Sequence, residues 1–177
     1  DEKYFGDACI DLASELSRAK LLNRNEVRML ARWALEQKQI ALARRLASTT
    51  GIEEAANDKL AALTLVARSD PEQALAMLGN ISDLSTAEQG AAWGVVGQFF
   101  AKKMSPQASY AFKKQTALGG DDLLSPQSYA MKIRSILLTG DWPWLLTTLE
   151  AMPPSLRERD PAWTYWYARA LRSQGKE

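Results

Sequence analysis

The stretch Ser85–Ala101, S-T-A-E-Q-G-A-A-W-G-V-V-G-Q-F-F-A, contains the two signals on which the fold prediction depends. Its first four residues have the form of a capping box, in which a serine hydroxyl and a glutamate carboxylate satisfy free amides at a helix start. Its apolar residues then recur at the helical spacing of three and four, at Ala92, Val95, Val96, Phe99 and Phe100. The apolar run is well short of the ~20 residues needed to span a bilayer. The stretch therefore predicts a buried helix.

The same helical period recurs along the rest of the chain. Further stripes are formed by Val27, Leu30, Ala31, Ala34 and Leu35, by Trp142, Leu145, Leu146 and Leu149, and by Trp163, Trp166, Tyr167, Ala170 and Leu171. No alternation of apolar and polar residues persists long enough to indicate a strand. The sequence therefore predicts an all-α protein.

Proline and glycine mark the helix ends. Four helices are predicted to begin with a capping side chain followed by proline, which loses no bond at the first helical position, at Asp70-Pro71, Ser105-Pro106, Ser125-Pro126 and Asp160-Pro161. Helices are predicted to stop at Gly51, Gly79-Asn80, Gly119-Gly120, Gly140, Pro153-Pro154 and Gly175. These marks indicate helices near residues 4–20, 25–37, 39–48, 52–68, 71–79, 86–103, 106–117, 126–139, 141–151 and 161–174. Short links between them predict antiparallel hairpins.

A repeat near 35 residues is visible in the second half of the chain. Ser125–Asp141 superposes on Asp160–Lys176 with prolines, arginines and glycines aligned, and the capping residues Asp70 and Ser105 have the same offset. A period near 34 is typical of tetratricopeptide-type hairpins, which stack into a superhelix. We therefore expect residues 1–177 to form a single superhelical array of antiparallel hairpins, a degenerate tetratricopeptide-like solenoid. Because no capping repeat is visible, we expect it to be an excerpt of a longer protein.

Composition excludes several classes of function. The 22 basic and 21 acidic residues leave a net charge of +1, and no long basic face appears, which argues against a nucleic-acid partner. The chain contains no histidine, the commonest general base and metal ligand. Its one cysteine, Cys9, either packs as a small core residue beside Leu12, Ala13 and Leu16 or bridges to a segment outside this chain. Neither a cofactor nor a metal site is predicted.

Three groups of residues are candidate sources of chemistry. The carboxylate pairs Glu53-Glu54, Asp121-Asp122 and Glu158 with Asp160 lie at helix starts or loops, where we expect them to be solvated. Gly90, Gly94 and Gly97, like Gly119-Gly120, lack the preceding strand of a phosphate loop, and the first three are expected to permit close helix packing. Among six tryptophans, most are expected in the core, and Trp144, which is off the Trp142 stripe, is the candidate for an exposed sugar-facing ring. No catalytic residue is predicted.

The C-terminal third of the chain resembles a known family. Arg159–Leu171, R-D-P-A-W-T-Y-W-Y-A-R-A-L, is similar to the D-x-x-W-x-Y-W-x-A-R-A-L segment of soluble lytic transglycosylases. Upstream segments that agree in order are Asp7-Ala8-Cys9, Ala47–Gly51 and Leu65–Arg68.

The resemblance implies a periplasmic enzyme that cleaves peptidoglycan, with outer-membrane association of the full-length protein left open. In that family an α-superhelix supports a lysozyme-like domain, here expected after Glu177. A glutamate of that domain cuts between N-acetylmuramic acid and N-acetylglucosamine and leaves a 1,6-anhydro end. Its E-S-x-F-x-P motif is absent here, so this segment is expected to be a non-catalytic scaffold. Glycan strands and other cell-wall enzymes are the implied partners, and Cys9 would pair with a cysteine upstream of Asp1.

A second hypothesis needs no sugar. A tetratricopeptide-like array also forms a concave surface that can bind a peptide or a partner protein. The chain would then be an adaptor.

Overall fold

Side-chain caps fix three of the four helix starts predicted at a cap–proline pair. The exception is Ser105-Pro106, where Pro106 itself is the cap residue, the helix begins at Gln107, and the Ser105 hydroxyl accepts only from the Gln107 amide, at 3.3 Å. In the computed structural model, which describes residues 7–22, 24–50, 54–81 and 84–175, Asp70 accepts bonds from the backbone amides of the first helical turn at 3.0 and 3.1 Å. Ser125 and Asp160 cap their helices in the same way, each directly ahead of a proline. Ser85 and Glu88 form the predicted capping box.

The described residues form eleven α-helices and no strand, which confirms the all-α class. The helices are α1 Asp7–Arg18, α2 Arg24–Glu36, α3 Ile40–Thr50, α4 Glu54–Ser69, α5 Pro71–Leu78, α6 Thr86–Lys102, α7 Gln107–Leu118, α8 Pro126–Thr139, α9 Trp142–Ala151, α10 Pro154–Arg157 and α11 Pro161–Ser173.

Two short elements were not predicted. The sequence pattern left a loop where a 3₁₀ turn forms at Asp121–Leu123. It also marked only a stop at Pro153-Pro154, whereas Pro154 starts the single-turn helix α10. Proline at the first position of a helix gives up no bond, so one residue type both prevents α9 from continuing and starts the next turn. The predicted stop at Gly51 lies outside the described residues.

Helices that are close in sequence pack together. Each helix from α1 to α8 contacts the next one, and α2, α4, α6 and α8 also contact one another in succession. Toward the C-terminus, α11 packs against α9 and α10. Each helix therefore packs mainly against helices one or two positions away in the chain.

The apolar side chains form three buried clusters along this series. The first cluster, in α1 to α4, contains the predicted stripe of α2; the second, in α4 to α7, contains that of α6; the third, in α8 to α11, contains those of α9 and α11. On α11 only Ala170 is fully buried, while Trp163, Trp166 and Tyr167 are half-buried. On α1 the prediction was partly wrong, because Leu12 is 55% exposed although Ala13 is buried.

Helix α6 lies at the centre and is surrounded by other elements. It packs against α4, α5, α7, α8 and the 3₁₀ turn. A β-carbon at Gly90 would lie 2.1 Å from the carbonyl oxygen of Gly119, and one at Gly94 would lie 2.5 Å from a methyl carbon of Leu124. The expected role of these glycines in close packing is therefore confirmed.

Three polar bonds link residues about one predicted repeat apart. Arg45 pairs with Asp11, 34 residues earlier. The Lys103 ammonium donates to the Ser69 carbonyl at 2.9 Å, also over 34 residues. Gln107 donates to the Glu72 carboxylate at 2.8 Å over 35 residues. Side chains spaced by the predicted period are thus neighbours in space.

One contact joins elements that are far apart in sequence. Helix α2 packs against the 3₁₀ turn at Asp121–Leu123. This contact brings the N-terminal part of the fold next to the start of α8. Within the described residues, no helix combines the length and the apolar composition required to cross a lipid bilayer.

Candidate functional site

A groove opens between α2, the first turns of α8 and the link from α10 to α11. It is lined by two half-buried tryptophans, Trp33 from α2 and Trp163 from α11. The other described residues that line it are Pro126, Gln127, Ala130, Leu156, Arg159, Asp160 and Pro161. Its volume of about 680 Å³ is within the range of natural ligand pockets.

The start of α11 fixes one wall of the groove. Asp160 accepts a bond from the backbone N–H of Ala162 at 2.9 Å, and Pro161 takes the first helical position. This cap holds Trp163 in the first turn of the helix. The Arg159 side chain, one residue earlier, is exposed and forms no hydrogen bond or ion pair with the described residues.

These groups suit binding better than catalysis. An indole face is apolar and electron-rich, so it can stack on the C–H face of a sugar ring or on a proline. The Arg159 guanidinium and the Gln127 amide can donate hydrogen bonds to hydroxyl or carbonyl oxygens. Asp160 is the one carboxylate among the described lining residues, whereas a two-carboxylate glycosidase mechanism needs a pair.

A second polar cluster is buried beneath the 3₁₀ turn. Lys132 of α8 has no exposed surface. Its ammonium donates to the Gln115 side-chain carbonyl at 2.7 Å and to the Asp121 carboxylate at 2.9 Å. Gln115 donates in turn to the Gly119 carbonyl at 3.2 Å, and the Tyr129 hydroxyl donates to the Asp121 carbonyl at 2.9 Å. These bonds tie the link between α7 and α8 to both helices.

Burial changes the acid–base properties of this cluster. Desolvation lowers the pKa of the Lys132 ammonium, and the Asp121 carboxylate offsets part of that change. Desolvation also raises the pKa of the Tyr129 phenol, with smaller contributions in the same direction from Asp121 and Asp122. Because Lys132 is sealed from solvent, we assign the cluster to stability rather than to substrate chemistry.

The structure corrects the expectation for one predicted carboxylate pair. Asp122 is exposed, as expected of a solvated carboxylate. Asp121 is not fully solvated: its side chain is 20% exposed and is ion-paired with Lys132. Sequence spacing gave no sign of this pairing, because Lys132 lies eleven residues away on the next helix.

The other predicted positions do not form a site. Glu158 and Asp160 are both exposed. Glu53 lies outside the described residues, and Glu54 is the first residue of α4. Cys9 belongs to α1, but its side chain lies outside the described part, so both predictions for it remain predictions.

The expectation of an exposed Trp144 ring is wrong. The ring is half-buried, and it packs against both the second and the third core cluster. Its indole N–H donates to the Thr116 hydroxyl at 3.3 Å, and the Lys113 ammonium lies 5.3 Å from its ring centre. Trp144 therefore joins two cores and does not present a free sugar-facing surface.

Sequence reasoning missed Trp33 and Lys132. Lys132 could have been found, because it lies on the same helical stripe as the apolar residues Tyr129, Ile133 and Ile136. A lysine at such a position is buried with its stripe, and a buried lysine is rare unless it is paired. Trp33 gave no such signal. It lines the groove only because α2 packs against a turn that is distant in sequence.

No metal centre is evident in the part of the chain that the structure describes, since no three His, Cys, Asp or Glu side chains cluster there. No family model matches the chain, and no curated protein matches it significantly.

Proposed function

We propose that this chain is a non-catalytic superhelical scaffold of a periplasmic peptidoglycan lytic transglycosylase, and that its groove helps to position glycan strands. The observation that carries the proposal is the position of Trp163. This residue belongs to the segment that resembles the family, and it lines the groove together with Trp33. Cleavage between N-acetylmuramic acid and N-acetylglucosamine is assigned to a separate domain.

The packing pattern supports a superhelical arrangement. Contacts mainly between neighbouring helices are typical of solenoids, in which each hairpin buries one face against the next. The bonds from Arg45 to Asp11, from Lys103 to Ser69 and from Gln107 to Glu72 recur at 34 or 35 residues. Equivalent positions of successive hairpins are expected to meet at this spacing.

The chemistry of the groove supports a glycan ligand. Peptidoglycan sugars offer apolar ring faces, amide carbonyls and hydroxyls. The two indoles can stack on ring faces, while Gln127 and Arg159 can donate to the oxygens. We therefore expect a sugar chain to bind along the groove.

Co-sedimentation with purified sacculi tests this proposal. We expect the chain to bind, and Trp163→Ala to weaken binding about tenfold, as for a central aromatic contact. Trp93→Ala is the matched control, because Trp93 is also half-buried on a helix but packs on the second core cluster away from the groove. Equal loss in both variants, or no binding by the parent chain, would contradict the assignment of the groove.

The family assignment has its own test. The whole protein that carries this chain should release 1,6-anhydro-muropeptides from sacculi. Ordinary reducing-end products, or no soluble product, would reject the assignment even if the groove bound glycan.

The adaptor hypothesis is supported by a different feature of the same groove. Pro126, Ala130, Leu156 and Pro161 give it a partly apolar lining, which also suits an extended peptide. Two results together would favour an adaptor. The chain would not bind sacculi, and it would retain a defined protein partner in a pull-down that Trp163→Ala abolishes.

A further inference from the structure

A separate cleft lies between the N-terminal end of α9 and the C-terminal end of α11. It has a volume of about 420 Å³ and is lined by Trp142, Arg169, Arg172 and Ser173. Arg172 is nine residues from Trp163, which places it about 180° around α11 at 3.6 residues per turn. By the same measure Arg169 and Ser173 lie about 120° and 80° from Trp163, so the cleft and the groove are on different sides of this helix.

The described residues that line the cleft carry two positive charges and include no acid. The Arg169 guanidinium carbon lies 5.9 Å from the Trp142 ring centre and 6.0 Å from that of Tyr165. Neither Arg169 nor Arg172 forms an ion pair with a described residue. By contrast, Arg45 is paired with Asp11.

The helix terminus does not cancel this charge. The carbonyl end of α11 contributes about half a negative charge, against two guanidinium charges from Arg169 and Arg172. The local balance remains positive. Arginine presents a planar fork of donors that matches carboxylate and phosphate oxygens.

The apolar wall restricts the ligand further. Trp142 is half-buried and lines the cleft beside Arg169. A small free anion would leave this ring unused, whereas an anion attached to a ring would cover it. The Ser173 hydroxyl donates to the Ala170 carbonyl at 2.7 Å, so its oxygen can only accept from a ligand.

We propose that this cleft binds an oxyanion, carboxylate or phosphate, carried on a ring that packs against Trp142. The site does not depend on the proposed glycan groove. The repeat register supplies a comparison: 35 residues earlier, Arg134 is followed by Leu137 and Leu138 in place of Arg172 and Ser173. The preceding aligned segment therefore lacks the cationic pair, so the repeat does not require it.

Titration by ¹H–¹⁵N NMR tests the proposal. The probes are benzoate, phenyl phosphate, inorganic phosphate and neutral benzyl alcohol at constant ionic strength, and the indole N–H signal of Trp142, assigned with Trp142→Phe, is followed. We expect a saturable shift with benzoate or phenyl phosphate. If benzoate binds more tightly, the natural ligand is assigned a carboxylate; if phenyl phosphate binds more tightly, it is assigned a phosphate. We expect affinity about tenfold lower for inorganic phosphate, which cannot pack on the ring.

Substitutions separate recognition from general charge. Arg169→Gln with Arg172→Gln should weaken ring-anion binding at least about tenfold, whereas Arg134→Gln, which removes an exposed arginine of α8, should leave it unchanged. All three arginines are exposed, so thermal melting should confirm an intact fold. Absence of a saturable shift, an equal shift with benzyl alcohol, or equal weakening by Arg134→Gln would overturn the proposal.

Discussion

Lys132 occupies a position that the helical period of α8 assigns to the apolar interior. A charge in such a place destabilises the fold unless it is paired and hydrogen-bonded. Gln115 and Asp121 supply both partners, and they come from the preceding helix and from the turn that follows it. The stability of this link therefore depends on one side chain.

Replacing Lys132 by methionine should lower the free energy of unfolding by about 3 kcal/mol at pH 7, because the partly buried Asp121 carboxylate loses its counter-charge. The loss should grow as pH rises. In the folded protein the pKa of Lys132 is below its ordinary value of 10.5. At pH values between these two pKa values the unfolded chain binds more protons than the folded one, so the parent protein becomes more stable as pH rises. Denaturant unfolding at pH 7 to 9.5 measures both effects.

The control for this substitution is Lys114→Met, which changes an exposed lysine of α7. Measurements should stay below pH 10. Above this value the raised pKa of Tyr129 acts in the opposite direction, because the unfolded phenol ionises while the folded one stays protonated. Equal effects of the two substitutions, or a loss that shrinks with pH, would contradict the assigned role of Lys132.

Helix α6 illustrates how small residues set the distance between elements. Gly90 and Gly94 remove the side-chain atoms that would separate it from the link after α7. Capping boxes, proline starts and apolar stripes are local signals, so the bounds of α6 could be predicted from the sequence. The 3₁₀ turn and the pairing of Asp121 could not, because they depend on packing between elements.

Gly90→Ala should destabilise the protein by about 2 kcal/mol or more, since the added carbon would collide with backbone that has little room to move. Gly79→Ala is the matched control. Gly79 has φ of −66° and is exposed at the end of α5, so alanine there should be neutral or stabilise by about 0.5 kcal/mol. Thermal unfolding of both variants measures the difference. Similar melting temperatures for the two would show that α6 can shift away from Gly119.

At the scale of the whole molecule, stability is expected to be uneven along the chain. Helix α6 is buried on nearly all sides, whereas α11 packs mainly against α9 and α10 and has one fully buried residue, Ala170. An element with few packing partners can open without the elements that are buried on several sides. Trp144 packs against both the second and the third cluster, so it is expected to couple the opening of the C-terminal helices to the rest of the fold.

Hydrogen exchange should therefore be slowest in Ala91–Phe100 of α6 and at least about tenfold faster in α11, whose amides can exchange through local opening. Mass spectrometry of peptide fragments after labelling gives both rates in one experiment. Trp144→Phe should speed exchange in α9 and α11 while leaving α6 nearly unchanged. Uniform protection of α6 and α11 would indicate a single cooperative unit.

The groove could not be predicted from the sequence for a reason that also bears on how the protein folds. Its two tryptophans are 130 residues apart, and they line one groove because α2 packs against the 3₁₀ turn. Contacts between neighbouring helices can form early, while a pairing between distant segments must wait for the chain between them. During synthesis, Trp33 leaves the ribosome long before Trp163. The proposed binding surface would then form only after α11 had emerged, and we expect a nascent chain not to bind before that point.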